Sequence, residues 1–319
     1  LAALPGIARN PLTFLTDVAA QHGGVADLGP FGRRRAFLIA QPDAVQHVLQ
    51  DNSRNYTKGS QFEVMRLVTG DGLIASEGEH WRRQRRLVQP AFHRQRILEA
   101  TQAMTEVTVA ACEAWAARPA GQWLDVFKEM TGLTQRILFR ALLGVEAAGR
   151  AEELGRAWDE VFSFLTGRLL SPVQLPLALP TPGNLRFRRA MRVLDDAVYE
   201  IIRTRRDAPT PVGLLPLLFA ARDEETGAPM SEVELRDEVM TFFAGGFETS
   251  ATALCWALHL VAGHPEVLER LQAEVDAVLA GRPPTADDLG RLRYTRMVID
   301  ETMRLYPTVW IFARQNVAP

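Results

Sequence analysis

Residues 245–249 read Gly-Gly-Phe-Glu-Thr inside a long apolar run. A glycine in a helix interior costs about 1 kcal/mol against alanine, and a buried carboxylate without a partner costs more, so this stretch needs an offsetting use. Gly245 and Gly246 strip side chains from one side of a helix, which lets a flat ligand or another backbone come close. Glu248 and Thr249 follow within one turn, where an acid and a hydroxyl can hold water, relay protons and donate to a bound oxygen species. Tight helix packing with Glu248 in a salt bridge fits the same spacing.

Two further pairs have chemical potential. Trp81 and Arg85 lie one helical turn apart, and an indole N–H beside a guanidinium on one face suits recognition of carboxylates. Around them, Arg82, Arg83 and Arg86 are readable as an outer basic patch for an acidic partner protein or as a plain solvated face. Glu301 and Arg304 stand at i and i+3 before Tyr306-Pro307, among apolar neighbours such as Met297 and Met303, which points to a buried structural ion pair.

These residues must be positioned mostly by helices. Helical periodicity covers 81–89, 94–117, 123–143, 151–170, 187–206 and 233–262. Ser231 and Glu234 form a capping box, and His264-Pro265 stops the helix begun there, so one buried helix of about 30 residues, roughly 45 Å long, carries Gly245 to Thr249. Strand-like runs at 25–28 and 36–39 flank a Gly-Pro-Phe-Gly turn, and Pro42 then opens a helix. Four prolines between 171 and 185 make that stretch a loop between two helices, either a lid or a surface connection.

The 319 residues are 47% hydrophobic with a net charge of -2, enough for a large core and unlike a nucleic-acid binder. Cys112 and Cys255 sit in apolar helical surroundings, form no metal spacing and read as small core residues of a protein in a reducing compartment. The first residues are broken by Pro5, Gly6 and Pro11, so they read as neither signal peptide nor membrane anchor, and a cytoplasmic location is expected. Residues 241–261 are long and apolar enough to span a bilayer, but Glu248 near the middle would cost about 2.5–3.5 kcal/mol on insertion.

In this order along the chain, Trp-x-x-x-Arg, then Gly-Gly-x-Glu-Thr-Ser, then Glu-x-x-Arg before Tyr-Pro, the sequence resembles the cytochrome P450 family of haem-thiolate monooxygenases. The resemblance extends from "LPGIARNPLTFL" to "RLYPTVWIFARQNV", essentially the whole chain. It implies a mainly α fold with a small β subdomain, one partial domain over 1–319, with a β region near 25–40, a helical core from about 80 onward and a long central helix over a haem b. By matching position, Glu248 is the acid of the proton-delivery pair and Thr249 the hydroxyl beside bound oxygen, while Gly245 and Gly246 give room beside the haem. Trp81 and Arg85 match a propionate site, Arg314 a second one, and the proline-rich loop a substrate lid.

The activity implied is insertion of one oxygen atom from O2 into a hydrophobic small molecule, with electrons from a ferredoxin- or flavodoxin-like protein or a reductase. The thiolate ligand of such a haem favours O–O cleavage. The family's Phe-x-x-Gly-x-x-x-Cys loop is absent before Pro319, so the sequence implies no metal ligand of its own and reads as a fragment incomplete at the C-terminus. A haem-free binding module that keeps the fold is the competing reading, and a sensor with His80 or His93 on the iron is a third.

Overall fold

The computed structural model describes residues 10–31, 34–59, 61–142, 144, 151–170, 175–206 and 213–317. Helices dominate, and the chain divides into two compact units: Leu1–Glu63 with Thr166–Gln174 and Phe312–Pro319, and Val64–Leu165 with Leu175–Ile311.

In the first unit, helix α1 (Pro11–His22) starts where the Asn10 side chain accepts from the Thr13 amide at 3.2 Å, and it ends at Gly23 with φ 71°. Strands β1 (Val25–Phe31) and β2 (Arg34–Ile39) pair antiparallel as the sequence predicts, but run further toward the turn, with a register shift between Asp27 and Gly29. Gly29, at φ 87°, supplies the left-handed conformation there. Helix α2 (Pro42–Gln46) opens at its proline, as expected. Strands β3 (Tyr56–Lys58) and β4 (Arg314–Asn316) make a second antiparallel pair, with Lys58 opposite Arg314.

In the second unit the helices follow in chain order. They are α3 (Gln61–Thr69, beginning at the unit boundary), α4 (Gly78–Val88), α5 (Arg94–Ala116), α6 (Val126–Ile137), α7 (Ala151–Leu170, whose residues from Thr166 belong to the first unit) and α8 (Pro182–Arg206). After them come α9 (Leu215–Ala220), α10 (Glu232–Gly246), α11 (Glu248–Ala262), α12 (Pro265–Leu279) and α13 (Arg293–Leu305). Helix α6 begins later than its apolar pattern suggests, because Asp125 caps it by accepting from the Lys128 amide at 3.1 Å, leaving Trp123 outside and 97% exposed. The proline-rich loop ends at Pro182; Asn184 donates to the carbonyls of Pro176 at 3.0 Å and Leu179 at 2.9 Å, and residues 171–174 lie outside the described ones.

One core cluster joins Phe139, Trp158, Phe187, Leu194, Ile202, Met240, Phe243 and Phe247. A smaller one joins Val107, Ala111, Met130, Leu133 and Ala251. The capping box forms as predicted: the Glu234 amide donates to Ser231 Oγ at 3.2 Å and the Ser231 amide to the Glu234 carboxylate at 2.7 Å.

The expected single helix from 233 to 262 is instead two, divided at Phe247 (φ -106°, ψ -43°). Side-chain hydroxyls take over the carbonyls at the break. Thr249 Oγ1 donates to Gly245 O at 2.7 Å, Ser250 Oγ to Gly246 O at 3.2 Å, and Thr134 Oγ1, from α6, to Phe247 O at 3.0 Å. Helix α10 is buried along most of its length, whereas on α11 Leu254 and Leu258 stay exposed among the described residues, so the expectation of burial on most sides holds for the first half alone.

Candidate active site

Docking of α4 and the turn before it against α10 sets the frame of the site. The Asp71 amide donates to Asp237 Oδ2 at 2.9 Å, and the Leu73 amide donates to the fully buried Glu238 carboxylate at 3.0 Å. A side chain at Gly72 would overlap the Thr241 hydroxyl and the Asp237 carbonyl, so that turn can approach α10 this closely only with glycine. Next along the chain, Gln84 Nε2 donates to Glu234 at 2.8 Å and Arg83 pairs with the same carboxylate. Burial pushes Glu234 up, but the Ser231 amide and hydroxyl and the Arg83 guanidinium hold it below the ordinary range.

The arginines of α4 divide into two kinds. Arg82 pairs with Glu79, Arg83 with Glu234 and Asp223, and Arg86 with Glu225 at 3.2 Å. They are neutralised within the chain and do not form the free basic patch the sequence allowed. Arg85 has no carboxylate or other acceptor among the described residues; its guanidinium sits 5.4 Å from the Trp81 ring, and the Trp81 N–H is equally without an acceptor. An unneutralised cation stacked on an indole whose own N–H is free is a donor set suited to an anionic group such as a propionate.

At the helix break the two glycines do different things. A side chain at Gly245 would meet nothing within 4 Å, so it faces open space. A Cβ at Gly246 would lie 2.8 Å from Leu138 Cδ1, so that glycine accommodates close helix packing. Thr249 lies one turn after Gly245 and bonds its carbonyl, on the side that opens. Glu248 is partly buried; desolvation pushes its carboxyl up, the Trp158 indole N–H pulls it back, and the charge of Asp159 pushes it up again.

Arg314 belongs to the first unit, in β4, with its guanidinium 5.0 Å from the Phe312 ring and 5.9 Å from the Phe62 ring. Glu301 and Arg304 do form a two-bond pair, each bond 2.7 Å, but their side chains are 55% and 66% exposed, so the pair is not buried as its neighbours suggested. Met297 and Met303 are exposed beside it. Cys112 is also exposed rather than in the core, while burial pushes the half-buried Cys255 thiol up, away from the thiolate form. No group of three or more potential metal-ligating side chains exists among the described residues. His80 Nε2 contacts Asp71 O at 3.1 Å and His93 caps α5, neither of them on the helices that carry Gly245.

Thr134, Leu138 and Trp158 were not legible as site residues. Thr134 is one threonine among several in α6, and nothing in its spacing marks the carbonyl it reaches 113 residues away. Glu238 gave the clearest missed signal, an acid in an apolar helix ahead of Gly245.

The helix break thus brings an acid and a hydroxyl beside open space, with the Trp81–Arg85 donor pair elsewhere on a helical scaffold. The sequence model of the Cytochrome P450 family matches residues 3–318, and the chain belongs to that family. It is 39% identical over 313 residues to a cyclooctat-9-en-7-ol 5-monooxygenase of Streptomyces melanosporofaciens, covering 97% of this chain and 67% of that protein. It is 36% identical over 311 residues to a pentalenene oxygenase of Streptomyces avermitilis, covering 96% and 67%. A crystal structure of a cytochrome P450 superposes with a TM-score of 0.84 at 26% identity, over 96% of this chain and 71% of that one. The protein is thus a haem-dependent monooxygenase of hydrophobic small molecules, which uses O2 and electrons from a redox partner. No helix among the described residues is long and apolar enough to cross a membrane.

Proposed function

We propose that this chain carries the oxygen-side half of a b-type haem monooxygenase acting on a cyclic, mostly hydrocarbon substrate of the terpenoid kind. It would hydroxylate or epoxidise that substrate in the cytoplasm with electrons from a ferredoxin- or flavodoxin-like protein or its reductase. The observation that carries the reading is the break at Phe247, where Thr249 bonds the Gly245 carbonyl beside open space. The relatives whose names specify cyclooctat-9-en-7-ol and pentalenene support the substrate class.

The residues divide the work. Trp81 and Arg85 hold one propionate through an indole N–H and a guanidinium. A haem held there would supply the activation of dioxygen, and the Cys255 thiol, pushed up by burial, is not set up as a thiolate ligand for it. Gly245 leaves room for substrate on that side of the helix. The Thr249 hydroxyl exchanges its bond to the Gly245 carbonyl for one directed into the open space, where it donates to an oxygen atom. The Glu248 carboxyl, kept protonated to higher pH by burial, supplies the proton at its Oε and is recharged from solvent. The loop ahead of Pro182 is assigned the role of substrate lid.

The test uses the full-length enzyme loaded with haem. Cyclic terpenoid hydrocarbons and alkenols should shift the haem absorption on binding and, with a ferredoxin and reductase, gain a single oxygen atom by mass spectrometry. Normal loading and reduction with no shift and no product across such a panel would overturn the substrate class.

A further inference from the structure

Helix α7 meets the helix break with two consecutive residues. Trp158, 3% exposed, lies edge-on to the Phe247 ring at 5.5 Å and stacks on Phe243 at 6.4 Å. Its indole N–H is fully buried and completes no well-formed hydrogen bond among the described residues. A buried N–H without an acceptor costs about 1–3 kcal/mol, so its retention here calls for a use. Phe247 is peptide-bonded to Glu248, and the Glu248 carboxyl is the group that this N–H acts on. The charged group from α7 that also acts on Glu248 is Asp159, the next residue. On the α6 side the break is pinned by the Thr134 hydroxyl on the Phe247 carbonyl, so the backbone is fixed while the carboxyl keeps a rotatable stem.

We propose that Trp158 is a positioning residue for Glu248: its indole N–H receives the carboxylate each time Glu248 gives up its proton, and fixes where the acid waits to be recharged. The moving partner is the Glu248 side chain, because the indole itself is held between Phe243 and Phe247. The N–H donates and cannot accept, so it favours the charged acid alone and releases the carboxyl when protonated. The functional consequence rests on the proton-delivery reading of Glu248; the contact does not.

Two measurements on the haem-loaded, full-length enzyme test this. In an infrared difference titration the Glu248 carboxyl band, identified by its loss in Glu248→Gln, should titrate about one pH unit higher in Trp158→Phe, which keeps a ring but removes the donor. In spectra of 15N-indole-labelled protein, the Trp158 resonance, assigned through its proximity to the Phe247 ring, should move in Glu248→Gln. An unchanged midpoint in a folded, haem-containing Trp158→Phe, or an unmoved indole resonance, overturns the proposal. Should Trp158→Phe lose its haem, the resonance comparison decides alone. A Glu248→Gln enzyme that retains wild-type coupling and solvent isotope effect would remove the proton-delivery reading, while a moved resonance would still support the Trp158 contact.

Discussion

Glu248 works against the fold that holds it. Its folded-state pKa is raised, first by burial, so charging it costs stability, and that cost grows as pH rises past the ordinary glutamate value of about 4.3. Glu248→Gln should therefore be more resistant to urea than the parent at pH 7 and no more resistant at pH 4; equal resistance at both would show that the carboxyl is not held in a desolvated place. Arg85 makes a different kind of prediction, because it is the α4 arginine without an acid partner. Arg85→Ala should leave the fold intact and release haem during gel filtration, whereas Arg82→Ala should not. Retention of haem by both would remove Arg85 from the propionate site.

At the scale of the element, the helix break separates two glycines that the sequence presents as a pair. Gly245→Ala adds a methyl into open space in a helix and should stabilise by roughly 0.5–1 kcal/mol. Gly246→Ala drives a methyl toward Leu138 and should cost about 1–3 kcal/mol, so denaturant midpoints of the two variants should move in opposite directions. The helical elements were largely readable because their apolar periods are long, and the Ser231 capping box marked the start of α10 to the residue. The break at Phe247 was not, since the apolar pattern resumes at Ala251 as if one helix continued, and the hydroxyls of Thr249, Ser250 and Thr134 decide where the carbonyls turn. Strands β3 and β4 escaped for a related reason: three residues carry no measurable alternation, and Thr57 reaches Gln315 across 258 positions. Of the site residues, those within one turn of each other were legible from spacing, while Trp158 and Thr134, brought in by other helices, were not.

Across the whole molecule, acid should be the weak direction. Asp288, Asp223, Glu129 and Glu274 are all held below their ordinary values: Asp288 first by Arg282, Asp223 by Thr226, and Glu129 by the Trp115 N–H. Glu274 is pushed up by burial but held down by the amides of Thr295 and Tyr294 at the start of α13. A depressed carboxyl contributes stability that is fully present above its unfolded value of about 4 and is lost as pH falls through the folded value. Thermal stability should thus be flat near neutrality and fall below about pH 4, and Asp288→Asn should flatten part of that fall. The oxygen chemistry is most directly tested by the fraction of consumed reductant that appears as oxygenated product, compared between the full-length enzyme and Thr249→Ala. Continued consumption of reductant and O2, with most of it lost as hydrogen peroxide, is the predicted result; an unchanged product fraction would contradict the role of the hydroxyl at the helix break.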